Sequence, residues 1–167
     1  YHNSPLVIPA TPLAVIELLQ EYQYEIKGKH VVIVGASRIV GKPLSALLLQ
    51  HKATVTICHD ETVDLPSFTR QADILISAVG HPKLIKGDMV KEGSIIIDVG
   101  ITRIEDYSRP QRYRIEGDID FSAVKDKAGA ITPVPGGIGP LTVAILLRNL
   151  IVLIKDKGGT NVQARIW

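Results

Sequence analysis

The sequence predicts a single α/β domain in which a doubly wound parallel sheet is covered by helices. Short apolar runs rich in valine and isoleucine alternate with helix-like segments along the whole chain, the order that is typical of parallel sheets. These runs are apolar at nearly every position, as strands buried on both faces are. The 167 residues are 46% hydrophobic and 22% charged, which indicates one globular domain.

The individual elements follow from local signals. Thr11 followed by Pro12 predicts the start of a first helix, with a capping hydroxyl and then proline in the first turn, and Gly28 closes this segment. The predicted strands span 31–34, 54–58, 74–77, 95–99 and 130–132. The later predicted helices span 43–50, 66–71, 86–90 (a single turn), 121–127 and 141–155. The polar stretch 103–117 predicts a small hairpin.

The boundaries and the composition narrow the possible roles. We expect residues 1–11 to be a linker, 12–157 to be the domain and 158–167 to be a flexible tail. The chain begins without methionine, which fits a fragment of a longer protein. A net charge of +2 with scattered basic residues gives no indication of nucleic-acid binding. We see no apolar run that approaches a membrane span and no signal peptide, so we expect no membrane partner.

The single cysteine, Cys58, excludes an intramolecular disulfide and a cysteine-based metal cluster, and we expect no metal. It fits a reducing compartment. We expect the cytoplasm, and a mitochondrial location is also compatible.

The most distinctive segment is 131–142, which reads Ile-Thr-Pro-Val-Pro-Gly-Gly-Ile-Gly-Pro-Leu-Thr. Its three prolines and three glycines stand between an apolar run and a long helix. Proline fixes φ, whereas glycine allows close approach by another group. The segment therefore predicts a backbone surface for a flat ligand. A rigid strand-to-helix turn is the alternative.

A first glycine turn, Gly35 to Gly41, follows a strand and opens a helix. This is the setting of a dinucleotide phosphate loop, in which the free N–H groups of the helix amino terminus meet an anion. Gly35 suits the tight turn, and Gly41 suits close packing of the helix on the sheet. The middle glycine of the usual motif is replaced by Ser37, whose hydroxyl can donate, and Arg38 adds charge. An ordinary tight turn is the alternative.

The ends of the later strands offer further candidates. Asp60 stands where an acidic residue accepts hydrogen bonds from an adenosine ribose and repels a 2′-phosphate. Its neighbour His59 is equally well explained as a plain loop histidine. Small residues after the third and fourth strands leave room for a flat ring. We expect Asp98 to be structural and to orient neighbouring backbone N–H groups.

Together these segments resemble the nucleotide-binding domain of the methylenetetrahydrofolate dehydrogenase/cyclohydrolase family. The resemblance covers residues 9 to about 155, and its matching segments are 9–12, 34–43, 53–59, 72–80, 95–101, 117–119 and 131–142. It implies a Rossmann-like fold. It also implies oxidation of 5,10-methylenetetrahydrofolate to the methenyl form and hydrolysis of that form to 10-formyltetrahydrofolate.

The resemblance, together with the turns, gives the site residues. The cofactor set is Gly35, Ala36, Ser37, Arg38, Gly41, His59, Asp60, Ala78, Gly80, Val99, Gly100, Ile101 and Thr142. The folate set is Pro135, Gly136, Gly137, Ile138 and Gly139. We expect no catalytic residue in this chain, because the family's Tyr-x-x-x-Lys pattern belongs to an amino-terminal domain and is absent here.

The same resemblance implies cofactor and partners. NADP is the usual cofactor of the family, whereas Asp60 and Ala36 favour NAD. The expected partners are the folate substrate, the missing amino-terminal domain and a second copy in a homodimer. The isolated chain should be inactive, with the apolar faces of its first and last helices exposed. Two other hypotheses are a short dinucleotide-binding sensor without catalysis and a shikimate dehydrogenase-like domain, which leaves the proline-glycine segment unexplained.

Overall fold

The computed structural model describes residues 7–157, and the predicted tail 158–167 lies outside them. Within them, five parallel strands form one sheet in the order β2-β1-β3-β4-β7, and β5 and β6 form an antiparallel hairpin. The strands are β1 His30–Val34, β2 Thr54–Cys58, β3 Ile74–Ser77, β4 Ile95–Asp98, β5 Thr102–Glu105, β6 Tyr113–Glu116 and β7 Ala130–Ile131. The helices are α1 Ala10–Glu21, α2 Gly41–Gln50, α3 Leu65–Thr69, α4 Phe121–Val124 and α5 Ile138–Lys157, with a 3₁₀ turn at Gly87–Met89.

Side chains of the sheet alternate between two cores, one on each face. On β1, Val31 and Ile33 join the core that α1, α2 and α5 cover. Val32 and Val34 join the opposite core, beneath α3, α4 and the 3₁₀ turn. Because successive side chains of a strand point to opposite faces, a strand that is apolar at every position buries side chains in both cores. The predicted doubly wound α/β fold is confirmed.

Four helices, α1, α2, α3 and α5, begin earlier than the sequence signals indicated. α1 starts at Ala10 with Pro9 in the N-cap position and no side-chain cap, so the prediction that Thr11 caps it is wrong. The carbonyl of Pro9 accepts the first helical bond, from the Leu13 N–H at 3.2 Å. α5 starts at Ile138 rather than Leu141, because glycine and proline are tolerated in a first turn whose N–H groups have no helical partner.

The expectation of exposed apolar faces holds for the last helix and fails for the first. Ala14, Val15 and Leu19 of α1 are fully buried, since α1 packs against α2 and α5 and inserts into the main core. On α5, six apolar side chains remain more than half exposed: Val143, Leu146, Leu147, Leu150, Ile151 and Ile154. At helical spacing these positions form one broad stripe, which we call the α5 apolar stripe.

The expectation that no apolar run approaches a membrane span is also wrong. The window Ile138–Lys155 of α5 has a mean hydropathy of 1.8 and is 11% buried, so this helix is long and apolar enough to span by length and composition. One such helix is a weak indication, because helices of soluble proteins meet the same test. Arg148 pairs with Glu17 of α1, and the Asn149 side chain donates to the Ile8 carbonyl. One face of α5 is thereby fastened to the domain.

The α5 apolar stripe generates a prediction about association. The isolated chain should self-associate in solution, because an apolar patch of this extent is unfavourable in water. Replacing Leu146 by Glu and Leu150 by Lys together should shift the population toward monomer in multi-angle light scattering. The pair is spaced i, i+4, so the helix itself is retained. Exchanging the exposed Val63 and Tyr107 for the same charged residues is the matched control. A wild-type chain that is cleanly monomeric would contradict the prediction.

Candidate functional site

The candidate residues gather at the carboxyl edge of the sheet. All five strands run parallel, so the loops that follow them share this edge. In the sheet, β2 lies on one side of β1 and β3 lies on the other side. The crevice between the loops after β1 and β3 is therefore the topological switch point, where sheets of this order bind ligands.

The glycine turn after β1 is closely packed. Gly35 has φ +117°, and its N–H donates to the Cys58 carbonyl at 2.8 Å. A Cβ on Gly35 would lie 2.5 Å from the Ala78 carbonyl oxygen, and a Cβ on Gly41 would overlap the Gly35 carbonyl. Both glycines are thus required by close backbone approach, as the motif predicts, and the turn after β1 touches the loop after β3.

Ser37 organises the turn and changes which amides are free. Its hydroxyl oxygen accepts from the N–H groups of Val40 and Gly41 at 3.1 and 3.4 Å, and its carbonyl accepts from Lys42 at 3.0 Å. The expectation of free N–H groups at the start of α2 is therefore wrong, because these three are already bonded. The amides of residues 36–39 have no partner in the described part of the chain. An anion would meet those amides, the Ser37 hydroxyl proton and the exposed Arg38.

At the end of β2, His59 and Asp60 are exposed. The Nδ1 of His59 accepts from the Glu61 N–H at 3.2 Å, and the His59 N–H donates to the Thr62 hydroxyl at 2.8 Å. The same Nδ1 lies 3.9 Å from the Asp60 carboxylate. His59 thus shapes its own turn, and the carboxylate of Asp60 stays available to a ligand.

Two buried carboxylates hold the loops after β3 and β4. Asp98 accepts from the backbone N–H groups of Gly100, Asp118 and Ile119 at 2.9, 3.0 and 2.9 Å. The expectation that Asp98 orients neighbouring N–H groups is confirmed by these bonds. Burial raises the pKa of the Asp98 carboxyl to about 6, with the nearby Asp118 carboxylate acting in the same direction, while the three amide bonds lower it.

Asp118 is the functional candidate that sequence reasoning missed. Its side chain accepts from the Ser77 hydroxyl at 3.0 Å, the Val79 N–H at 2.8 Å and the His81 N–H at 2.9 Å. These partners lie 37 to 41 positions away along the chain, so no local pattern contains them. The available signal was the pair Gly117-Asp118, at the point where the predicted hairpin 103–117 ends.

Two glycines let the carboxylates sit this close. A Cβ on Gly100 would overlap the Asp118 carboxylate, and a Cβ on Gly117 would overlap that of Asp98. The Asp118 carboxylate therefore lies against Gly100, two residues after Asp98. The Asp98 carboxylate lies against Gly117, the residue before Asp118. We call this arrangement of Asp98, Gly100, Gly117 and Asp118 the aspartate pair.

The proline-glycine segment lies on the same edge, beside β4. The Asp98 N–H donates to the Thr132 hydroxyl at 2.8 Å, and the Val134–Pro135 peptide bond is cis. A Cβ on Gly139 would lie 3.7 Å from Cδ1 of Ile101, so the predicted folate surface lies beside the predicted cofactor loop. Of the predicted folate residues, Pro135, Gly136 and Gly137 lie in the loop, and Ile138 and Gly139 open α5. Thr142, predicted to contact the cofactor, lies one turn further along α5 and is half-buried.

A separate cleft of about 320 Å³ lies at the opposite, amino edge of the sheet. It contains an ion pair between Asp73 and Lys91 at 2.6 Å and includes none of the predicted site residues. Among residues 7–157, no group of three or more His, Cys, Asp and Glu side chains is placed to hold a metal ion.

A parallel sheet with a glycine turn at its switch point defines a Rossmann-like dinucleotide-binding domain. Residues 9–158 match the family model described as tetrahydrofolate dehydrogenase/cyclohydrolase, NAD(P)-binding domain. The chain belongs to this family.

Relatives and solved structures agree with this assignment. The bifunctional protein FolD of Sulfurihydrogenibium is 56% identical over 156 residues, which are 93% of this chain and 52% of that protein. FolD of Chlorobium phaeobacteroides is 52% identical, over 90% of this chain and 52% of the relative. The Trypanosoma brucei enzyme, solved with NADP and an inhibitor, superposes with a TM-score of 0.89 at 42% identity, covering 94% of this chain and 54% of that one. The chain thus spans about half the length of the curated relatives it matches.

The aspartate pair generates a prediction about pH and stability. The pKa of Asp98 is raised in the folded state, so between pH 4 and 6 the folded chain binds more protons than the unfolded one. Its contribution to stability therefore falls as the pH rises through that interval, by roughly 3 kcal/mol. The free energy lost in Asp98→Asn should accordingly shrink from pH 4 to pH 6, as measured by urea unfolding.

Asp73→Asn is the matched control for this measurement. The hydrogen bond from Lys91 lowers the pKa of Asp73, so its contribution is lost as the pH falls below the ordinary carboxyl range. The cost of Asp73→Asn should therefore grow with rising pH, the opposite sign. A cost of Asp98→Asn that also grows with pH would show that the three amide bonds outweigh burial.

Proposed function

We propose that this chain is the cofactor-binding half of an enzyme that oxidises 5,10-methylenetetrahydrofolate and hydrolyses the methenyl product to 10-formyltetrahydrofolate. The observation that carries the proposal is the proximity of Ile101 and Gly139: a methyl group on Gly139 would lie in van der Waals contact with the Ile101 side chain. The cofactor edge of the sheet and the proline-glycine segment are therefore neighbours, so a cofactor and a second flat ligand would meet there. FolD relatives and a silkworm 5,10-methylenetetrahydrofolate dehydrogenase of known structure support the proposal.

The residues of this edge fit a dinucleotide from end to end. The free amides of residues 36–39 and the Ser37 hydroxyl would hold the pyrophosphate. Asp60 would accept hydrogen bonds from the adenosine ribose, and the loops after β3 and β4 would support the nicotinamide. When bound, the nicotinamide takes the hydride, with its electron pair, that the methylene carbon of the folate loses. The role of the chain is to position the nicotinamide ring against the folate ring, so that hydride transfer between them is effectively intramolecular.

The folate would lie against the backbone of residues 135–139. Glycines at 136 and 137 have φ of +116° and +51°, so the backbone turns sharply and carries no side chain toward a ligand. A flat ring can therefore approach the peptide groups closely. Hydrolysis of the methenyl form, in which water adds to the methenyl carbon and a proton is released, requires proton transfer by a positioned side chain. We place that side chain in the half of the protein beyond these residues.

For the cofactor we propose NAD rather than NADP. The Asp60 side chain is 95% exposed at the end of β2, where its charge would repel a 2′-phosphate. Ala36 supplies no positive charge to balance it. The Trypanosoma brucei relative was solved with NADP, so this choice separates the chain from that relative.

The cofactor proposal predicts a shift in specificity. Asp60→Ser should raise the affinity for NADP+ relative to NAD+ about tenfold, because removal of one unfavourable charge contact is worth about 1.4 kcal/mol. Adding Ala36→Arg should increase the shift further by pairing with the phosphate. Titration calorimetry with both cofactors measures the ratio. Glu61→Ser, one residue away and also exposed, is the control, and a wild type that already prefers NADP+ would contradict the proposal.

We further propose that the catalytic residues and the remaining folate contacts belong to an amino-terminal domain, and that the complete protein is a cytoplasmic homodimer. No tyrosine in these 167 residues is followed by lysine four positions later. The sensor hypothesis needs no such domain. The encoded reading frame separates the two hypotheses: a Tyr-x-x-x-Lys pattern upstream of these residues supports the amino-terminal domain over the sensor.

The isolated chain should bind a nicotinamide dinucleotide weakly and turn over negligibly. It offers one wall of the proposed cleft, and we place the group that tunes the folate nitrogen or activates water in the amino-terminal domain. Formation of reduced cofactor from 5,10-methylenetetrahydrofolate, followed by its absorbance, should stay at background for this chain. It should appear when the chain is joined to the amino-terminal half of a FolD relative. Robust turnover by the chain alone would contradict the prediction.

A further inference from the structure

The sheet order places the two ends of a bound dinucleotide on opposite sides of β1. The glycine turn after β1 fixes the pyrophosphate, and Asp60 after β2 lies toward the adenosine end. The second half of the ligand must then extend in the other direction, over the carboxyl ends of β3 and β4. The loops 78–81 and 99–101 lie there.

The first residue of each loop continues the backbone pairing of the strands, through the N–H groups of Ala78 and Val99. Beyond these residues the loops are held by side chains. The N–H groups of Val79 and His81 both donate to Asp118. The Gly100 N–H donates to Asp98, which also accepts the N–H of Asp118 itself. The conformation of both loops thus depends on one connected set of charge-assisted hydrogen bonds, which are stronger than bonds between neutral groups.

Asp118 is placed to act on a ligand only through other residues. It is fully buried, and Gly100 lies against its carboxylate. A ligand over the loops would meet Val79 and Gly80, which are exposed, whereas Gly100 and the carboxylate are buried. The charge is therefore buried beneath the surface that would hold the nicotinamide.

We propose that Asp118 is a positioning residue for the nicotinamide end of the cofactor. Its carboxylate holds the amides of Val79 and His81, and through Asp98 the loop after β4, so that the nicotinamide ring meets a fixed floor. This inference rests on the proposed function, since it requires that a nicotinamide dinucleotide binds at this edge.

The test compares two ligands that differ only in the nicotinamide. Calorimetry on the 167-residue chain measures NAD+ against ADP-ribose, and NADP+ against 2′-phospho-ADP-ribose. Asp118→Asn retains the shape of the side chain, but its NH₂ group then faces a backbone donor and leaves one loop amide without an acceptor. It should weaken dinucleotide binding about tenfold and leave binding of the ligand without nicotinamide within about twofold.

A milder variant covers the case in which Asp118→Asn fails to fold. Ser77→Ala removes one bond to the same carboxylate and leaves its charge in place, so the same selective loss should appear at about threefold. Asp73→Asn, at the amino edge of the same sheet, is the matched control and should change neither ligand. Asp60→Ala, at the adenosine end, should weaken NAD+ and ADP-ribose equally.

The outcomes are distinguishable. A loss confined to the dinucleotides in Asp118→Asn and Ser77→Ala supports the inference. Equal losses for both ligands, or no loss in either variant, overturn it while leaving the proposed function intact. A wild-type chain that binds neither NAD+ nor NADP+ overturns the proposed function and this inference together.

Discussion

The carboxyl edge of this protein depends on two buried negative charges that share one hydrogen-bonded network. A buried carboxylate is costly unless donors surround it. Asp98 and Asp118 meet that requirement with backbone N–H groups drawn from loops that are distant in sequence. The same bonds that satisfy the charges therefore fix the loops. This arrangement requires glycine at positions 100 and 117, because a methyl group at Gly100 or Gly117 would occupy the space of a carboxylate oxygen.

The network also connects the proposed cofactor loops to the proline-glycine segment. Asp98 receives loop amides on its carboxylate and donates its own N–H to Thr132, at the entry to the proline-glycine segment. On the far side of that segment, Gly139 lies near Ile101 of the loop after β4, where a methyl group on the glycine would reach the isoleucine side chain. The proposed cofactor loops and the proposed folate surface are thus built on common supports. The proposed hydride transfer would need such supports, since it tolerates little error in the separation of its two rings.

The long helix α5 has two faces with different roles. One packs on α1 and is held there by Arg148 and Glu17, whereas the other carries the α5 apolar stripe into solvent. Monomeric domains rarely leave so wide an apolar surface uncovered. The chain covers 52% of the length of its FolD relatives.

The sequence by itself determined the parallel sheet and the glycine turn, because strand periodicity and close backbone approach are local properties. It also gave the family, through the resemblance of its motif segments. Asp98 was also predictable, since a carboxylate at a buried strand end needs N–H donors nearby. Only the tertiary structure decided that Asp118 completes the network and that α1 is buried while α5 is exposed. Each of these depends on which segments meet in space, and contacts between residues tens of positions apart leave no mark on a local pattern.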